Sequence, residues 1–382
     1  MEPNLSDAGA GGGEDRLSAL PDDVLVHILV KLRNAPAAAR TSVLARRWRR
    51  AWALLPELHF PRGTHPDSIR AALTAHDAPA LGHLFVATTT TEVTLESVEA
   101  WLTIAARRLS GVLSFQISKR WNMAGERGAL NLPCFEKATK VGLTLSSNGL
   151  ALPPSGVFGG LADLELFGIT LHGPCTLGDL VSSPRCPSLR RLCVYSVTGL
   201  LDKLIIHSKS LLQLELNNLP SLELLDVVAL ALQDLVVNSC FSDHSKPVAT
   251  ISAPQLVTLD WSSAYDPSVI RFGDMTHLQQ LSPHLLVVHG HHVFSQDHCD
   301  WLMLLNHFDH VSILNLRLYY LPVRGYGQFL MNEMTKFPNI TILKLEVLAC
   351  GHSFGRMSSG IRELKLKLLD MPRGLEVTIY LA

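Results

Sequence analysis

No stretch of the sequence runs to about 18 consecutive apolar residues, so a membrane-spanning helix is not expected. An excess of one charge is missing too. The 382 residues carry 33 Lys+Arg against 34 Asp+Glu, and a net charge of −1 gives no long-range attraction to nucleic acid or an anionic membrane. The seven cysteines (134, 175, 186, 193, 240, 299 and 350) include no C-x-x-C pair, and their number is odd. That argues against a disulfide framework and for a reducing compartment, cytoplasmic and/or nuclear. The opening "MEPNLSDAGAGGGED" has neither a basic n-region nor an apolar h-region, so it does not read as a signal peptide. Aromatic residues are sparse at 7%, whereas apolar residues make up 47%, which predicts a large and mainly aliphatic core.

Catalytic and ligand-binding signatures are equally thin. "GHSFG" (351–355) fits G-x-S-x-G, but an α/β-hydrolase needs an acid and then a histidine after the serine. After Ser353 the chain offers Asp370 and no histidine, so a serine hydrolase at Ser353 is disfavoured and the glycines read as turn residues. His284, His289, His291, His292, His298 and Cys299 crowd one stretch without the spacing of a zinc site, and no metal or other cofactor is expected. "GAGGGE" lacks the G-K-[ST] of a phosphate loop. "RRWRR" (46–50) reads as a solvated helix face in a chain that is not basic, and no nucleic-acid partner is expected.

Two kinds of pattern are present. Residues 1–15 are glycine-rich and read as a flexible tail. From 16 to 60 the period is helical. "LPDDVLVHILVKL" places Pro21 where a helix begins, acids in its first turn, and Leu25, Ile28, Leu29 and Leu32 on one face. Asn34 and Pro36 end it, and "AAARTSVLARRWRRAWALL" (37–55) reads as a second helical run. A block this short with so many large apolar residues is expected to complete its core against something else. Residues 61–130 mix helices ("DSIRAALTAH", "ESVEAWLTIAARRLSG") with strands ("LGHLFVATT", "GVLSFQIS").

Over 131–382 an L-x-x-L-x-L motif recurs: Leu161–Leu164–Leu166, Leu189–Leu192–Val194, Leu211–Leu214–Leu216, Leu232–Leu235–Val237, Leu256–Leu259–Trp261, Ile340–Leu343–Leu345 and Ile361–Leu364–Leu366. Weaker copies lie at "KVGLTL" and "SILNLRL", and a missing one is expected at "PHLLVVHG". Neighbouring copies are mostly spaced within the roughly 20–29 residues of leucine-rich repeats. The fold expected is a mixed α+β or α/β solenoid: a small N-terminal helical unit, then an irregular curved stack with a parallel sheet. Motif leucines should point inward and the residues between them outward. The outward set includes Arg191, Tyr195, Glu215, Asn217, Asp260, Arg317, Lys344 and Glu346, whose mixed charge suits a polar protein surface better than a small apolar ligand.

Leu20-Pro21, Val24-Leu25, Ile28-Leu29 and "RTSVLARRWRRAW" closely resemble the F-box as plants write it, and "WLTIAARRLSG" with the irregular repeats resembles the plant F-box/leucine-rich-repeat family, its grass members in particular. The resemblance covers nearly the whole chain. It implies a non-catalytic substrate receptor of an SCF-type ubiquitin ligase. The F-box would dock on a Skp-type adaptor, and through it on a cullin-RING scaffold, while the repeats hold an unknown protein substrate. Adaptor-facing positions carried across are Leu20, Pro21, Leu25, Ile28, Leu29, Val43 and Trp48, some of which must instead hold the helices together. The alternative is a repeat scaffold working outside any ligase. The family pattern also carries more chain at the C-terminus, so the last repeats are expected to be incompletely capped.

Overall fold

The computed structural model describes residues 20–43, 46–88, 94–118, 128–241, 247–263, 265–283, 286–287, 296–320, 339–349 and 376–381. The glycine-rich opening, Ser353, Asp370, most of the histidine-rich stretch and the Ile361–Leu366 motif lie outside these residues.

Helices come first: α1 (Asp22–Lys31), α2 (Ala35–Arg40) and α3 (Arg46–Ala53). Strands and helices then alternate through β1 (Glu57–Phe60), α4 (Pro66–Ala75), β2 (Leu81–Thr88), α5 (Leu95–Arg108), β3 (Leu109–Ile117), β4 (Ala129–Asn131), β5 (Lys140–Ala151), β6 (Asp163–His172), α6 (Leu177–Val181) and β7 (Arg191–Gly199). Next come β8 (Lys203–Ser208), β9 (Gln213–Asn217), β10 (Leu224–Ala229), β11 (Asp234–Asn238), β12 (Val248–Ser252), β13 (Thr258–Ser262), β14 (Ile270–Phe272), β15 (Gln280–Pro283) and β16 (Leu286–Val287). The last elements are α7 (Gln296–His307), β17 (Ile313–Tyr320), β18 (Ile342–Ala349) and β19 (Glu376–Leu381).

One 15-stranded parallel sheet follows the path β1-β2-β3-β5-β6-β7-β9-β11-β13-β15-β17-β18-β19, with β4 and β16 paired at its margin. A second, 4-stranded sheet runs β14-β12-β10-β8. Each of its strands lies in the connection between two strands of the large sheet, so from β7 to β15 the chain passes back and forth between the two.

Register explains the leucine motif. Leu58, Leu84, Leu113, Val141, Leu164, Leu192, Leu214, Leu235, Leu259, Leu281, Leu314 and Leu343 stand side by side along the large sheet. Each is at most 1% exposed. Two residues further along each strand a second buried row includes Phe60, Val86, Phe115, Leu143, Leu166, Val194, Leu216, Val237 and Trp261. A one-residue slip in any strand would move its whole set to the polar face, and this is what fixes the register.

The structure differs from the sequence reading at several points. The run 37–55 is two helices, not one. A 3₁₀ turn (Thr41–Val43) separates them, and the Thr41 hydroxyl bonds back to the Ala38 carbonyl at 2.6 Å. The run 96–111 leaves its helix after Arg108, where Leu109 joins β3. The copy expected at "PHLLVVHG" is supplied instead by Leu278, just before β15, and Leu281 on it, because β15 bridges β13 and β17 while β16 only flanks β17.

Candidate docking surfaces

The N-terminal helices make the first surface. Asn34 caps α2, its Oδ1 accepting from the Ala37 amide at 2.9 Å, and Pro36 sits in the first turn. The Asp22 carboxylate at the start of α1 pairs with Arg47 of α3, and the Trp52 indole N–H donates to the Ala35 carbonyl at 3.2 Å. These bonds fix which sides of the helices turn inward. Leu25, Leu29, Trp48, Ala51 and Trp52 are buried.

The apolar stripe of α1 is wider than that packing consumes. Val24 and Ile28 are half-buried on one side of the Leu25–Leu29 pair. Val26 and Val30 lie on the other side, lining a cleft of about 490 Å³ with His27, Arg33, Pro56 and Glu57. Leu32 is 45% exposed and Val43 86%. The seven positions picked from the sequence therefore divide. Leu25, Leu29 and Trp48 are committed to the chain's own core, Leu20 and Ile28 are half-buried, and Pro21 and Val43 are exposed.

The second surface is the outward face of the large sheet, where the residues between the motif leucines stand in rows. The first row runs Lys140, Asp163, Arg191, Gln213, Asp234 across β5 to β11. The second runs Gly142, Glu165, Cys193, Glu215, Val236, Asp260, and the third Thr144, Phe167, Tyr195, Asn217, Asn238. Lys140 and Arg191 of the first row pair with carboxylates of the first and second rows. Lys140 Nζ lies 3.0 Å from Asp163 Oδ2 and 2.8 Å from Glu165 Oε1. Arg191 bonds Glu165 Oε1 and reaches Glu215 Oε1 at 3.0 Å. Burial opposes charge on Glu165, but the bonds from Lys140 and Arg191 outweigh it and hold this carboxyl below its usual pKa. Burial likewise opposes charge on Arg191, and its bonds to Glu215 and Glu165 outweigh it.

Further along, Arg317 joins Asp260 at 2.5 Å and Glu346 at 3.3 Å. Asp260 is 6% exposed, and burial pushes its carboxyl up despite Arg317. Lys344 donates to the Gln280 side chain at 3.3 Å. The outward positions chosen from sequence thus fall into two networks, Arg191–Glu215 and Asp260–Arg317–Glu346, with Tyr195 beside Asn217 and Lys344 bonded separately.

Sequence reasoning passed over Lys140, Asp163, Glu165 and Phe167, which complete these rows. Their signal was their place between core residues in "KVGLTL" and "DLELF". It also passed over the corners, where Gly168, Ser196, Asn218 and Ser239 hold φ of 58°, 52°, 53° and 51°. The Asn218 amide donates to Ser196 Oγ at 2.6 Å across one corner. A small polar residue or glycine one place beyond the third row was the available clue.

Among the described residues no cluster of His, Cys, Asp and Glu is arranged to hold a metal ion, and no helix is long and apolar enough to cross a membrane. No family model matches the chain, and no solved structure matches it. Curated proteins do. A protein of Arabidopsis thaliana whose name reads F-box/FBD/LRR-repeat is 29% identical over 273 residues, 68% of this chain and 54% of that protein. A second of the same description is 30% identical over 262 residues, covering 67% and 54%. An Arabidopsis F-box protein is 33% identical over 115 residues, 29% of this chain and 36% of its own length. The chain spans about half the length of the F-box/FBD/LRR-repeat relatives.

Proposed function

For a chain of the plant F-box/leucine-rich-repeat family, we propose the role of substrate receptor in an SCF-type ubiquitin ligase. The N-terminal helices dock on a Skp-type adaptor, the adaptor links to a cullin-RING scaffold, and the stacked strands form a leucine-rich-repeat solenoid that holds a protein substrate. The receptor does no chemistry of its own. It keeps a substrate lysine near the ubiquitin carrier and so raises the effective concentration. A cytoplasmic or nuclear setting fits this role.

The observation that carries the reading is the divided apolar stripe of α1. A helix packed on one side only keeps Leu25 and Leu29 inside and has no need of Ile28 or Leu32 as apolar residues, and the exposed Val43 of the 3₁₀ turn adds a further apolar side chain. Burying a side chain of this size in a partner contributes about 1.5–3 kcal/mol, and a few at an interface centre dominate binding.

The test is capture of a purified Skp-type adaptor by Ile28→Asp/Val43→Asp. Both residues keep at least part of their surface in solvent, so the fold should survive with a thermal midpoint close to wild type while capture is lost. Capture at wild-type strength by the folded double variant would refute the docking face. Leu25→Asp is unsuitable here, since Leu25 is 0% exposed and a buried aspartate unfolds the block.

A further inference from the structure

We propose that the outward face at β6, β7 and β9 takes a lysine- or arginine-bearing extended segment of the bound protein, with a cationic head over the Phe167–Tyr195 pair and Glu215 as its counter-charge. This rests on the receptor reading above and adds the chemical class of what is received.

Charge on this face does not balance. Among the described residues, Asp163, Glu165 and Glu215 share Lys140 and Arg191 alone as cationic partners. The shortage shows at Asp163, whose Oδ1 accepts no hydrogen bond and lies 3.6 Å from Arg191 Nη1, beyond bonding distance. The pattern repeats where Asp260 and Glu346 share Arg317. A chain of net charge −1 has thus placed an excess of carboxylate on the sheet face proposed to meet the substrate.

An aromatic platform lies beside the first network. Tyr195 is 47% exposed, and its ring centroid is 6.0 Å from that of Phe167 with 31° between the planes. The open ring of Tyr195 beside half-buried Phe167 offers a face to which a guanidinium or ammonium is drawn. Glu215 is one strand over and one row back from Tyr195, roughly 8 Å away by ordinary strand spacings. A cation on the rings therefore lies within range of its charge. The Asn217 and Asn238 side chains continue the row with groups suited to an extended backbone.

The experiment is fluorescence anisotropy with the full chain and two labelled octapeptides, one alternating lysine with serine and one alternating glutamate with serine. Expected are binding of the lysine peptide that weakens with added salt and no comparable binding of the glutamate peptide. Tyr195→Ser should weaken the lysine peptide about two- to fivefold, Glu215→Gln should weaken it as well, and Asp226→Asn on β10 of the other sheet should leave it unchanged. The proposal is overturned by absent lysine-peptide binding, by equal binding of both peptides, by an unaffected Tyr195→Ser, or by an equal loss in Asp226→Asn. Adaptor capture run on the same samples separates the two ideas: a chain that captures adaptor but ignores the peptide sinks this inference alone, and the reverse sinks the ligase role alone.

Discussion

Acid should loosen the joint between the N-terminal helices and the sheet through one histidine. His76 ends α4 and is 0% exposed. Its Nε2 lies 2.6 Å from the Leu55 carbonyl just after α3, while Nδ1 has no hydrogen-bond partner. Neighbouring backbone bonds run from Asp77 and Ala78 to Ala53, and the Arg108 guanidinium donates to the carbonyls of Leu73 and His76. A neutral ring with its proton on Nε2 fits this site. A second proton would need an acceptor at Nδ1 that is not there, and it would sit near Arg108. Burial is the main cause that lowers the pKa of His76, with Arg108 adding to it against the opposing Leu55 bond and Asp77.

The sign follows from which state takes the proton. Above about pH 6.5 the ring is neutral in both states and costs nothing. Below it the unfolded chain binds a proton that the native chain refuses, so unfolding becomes easier until the pH reaches the depressed native value. The full slope for one such group is about 1.4 kcal/mol per pH unit. Urea midpoints followed by tryptophan emission between pH 7.5 and 5.5 should fall for wild type, and the fall should be shallower in His76→Gln. Glutamine still offers a donor toward Leu55 and does not titrate. His83, lowered by burial in the same direction, acts equally in both proteins and cancels in the comparison. Parallel pH profiles for the two proteins would refute the assignment, whatever the static cost of the substitution.

Three further outcomes are expected. Gly111→Ala should destabilise the fold severely, because an added Cβ would lie 2.0 Å from the Gly82 carbonyl oxygen on the adjacent strand; an unchanged melting temperature would show that β2 and β3 are placed wrongly. Leu214→Ala, in the middle of the buried row, should cost about 2–5 kcal/mol in urea unfolding, and a loss under about 1 kcal/mol would mean that the row is not continuously packed. In native thiol labelling read by peptide mass spectrometry, Cys186, Cys193 and Cys240 should resist, since burial pushes each thiol up to about 12. Half-buried Cys175, 3.2 Å from an Arg185 guanidinium nitrogen, should label ahead of them, and the opposite order would contradict the burial pattern.

What the sequence could reveal was set by how far each interaction reaches along the chain. Parallel strands bury alternate residues, so Leu164, Leu192, Leu214, Leu235 and Leu259 announce their row without knowledge of any partner strand. The row's beginning is harder to see. Leu58, Leu84 and Leu113 stand in it too, but Phe60 and Phe115 take the place of the leucine two residues on, and Ser110 stands where a first motif leucine would precede Leu113. The second sheet was visible as alternation in "KLIIHS", "LLDVVA" and "VATIS", yet nothing local says that these segments pair with one another and not with the motif strands between them. Function lay furthest out of reach for the same reason. Helical period puts Leu25 and Ile28 on one broad face, but only the packing of the neighbouring helices decides that Leu25 is sealed inside while Ile28 keeps part of its surface in solvent. Charged residues between leucines are legible as outward-facing, yet the shortage of cations around Asp163 and Glu215 exists only once register sets β5, β6, β7 and β9 side by side. The proposed docking face and the carboxylate excess are therefore matters of packing and register, and variants at Ile28 and Tyr195 test them more directly than any change within the leucine rows.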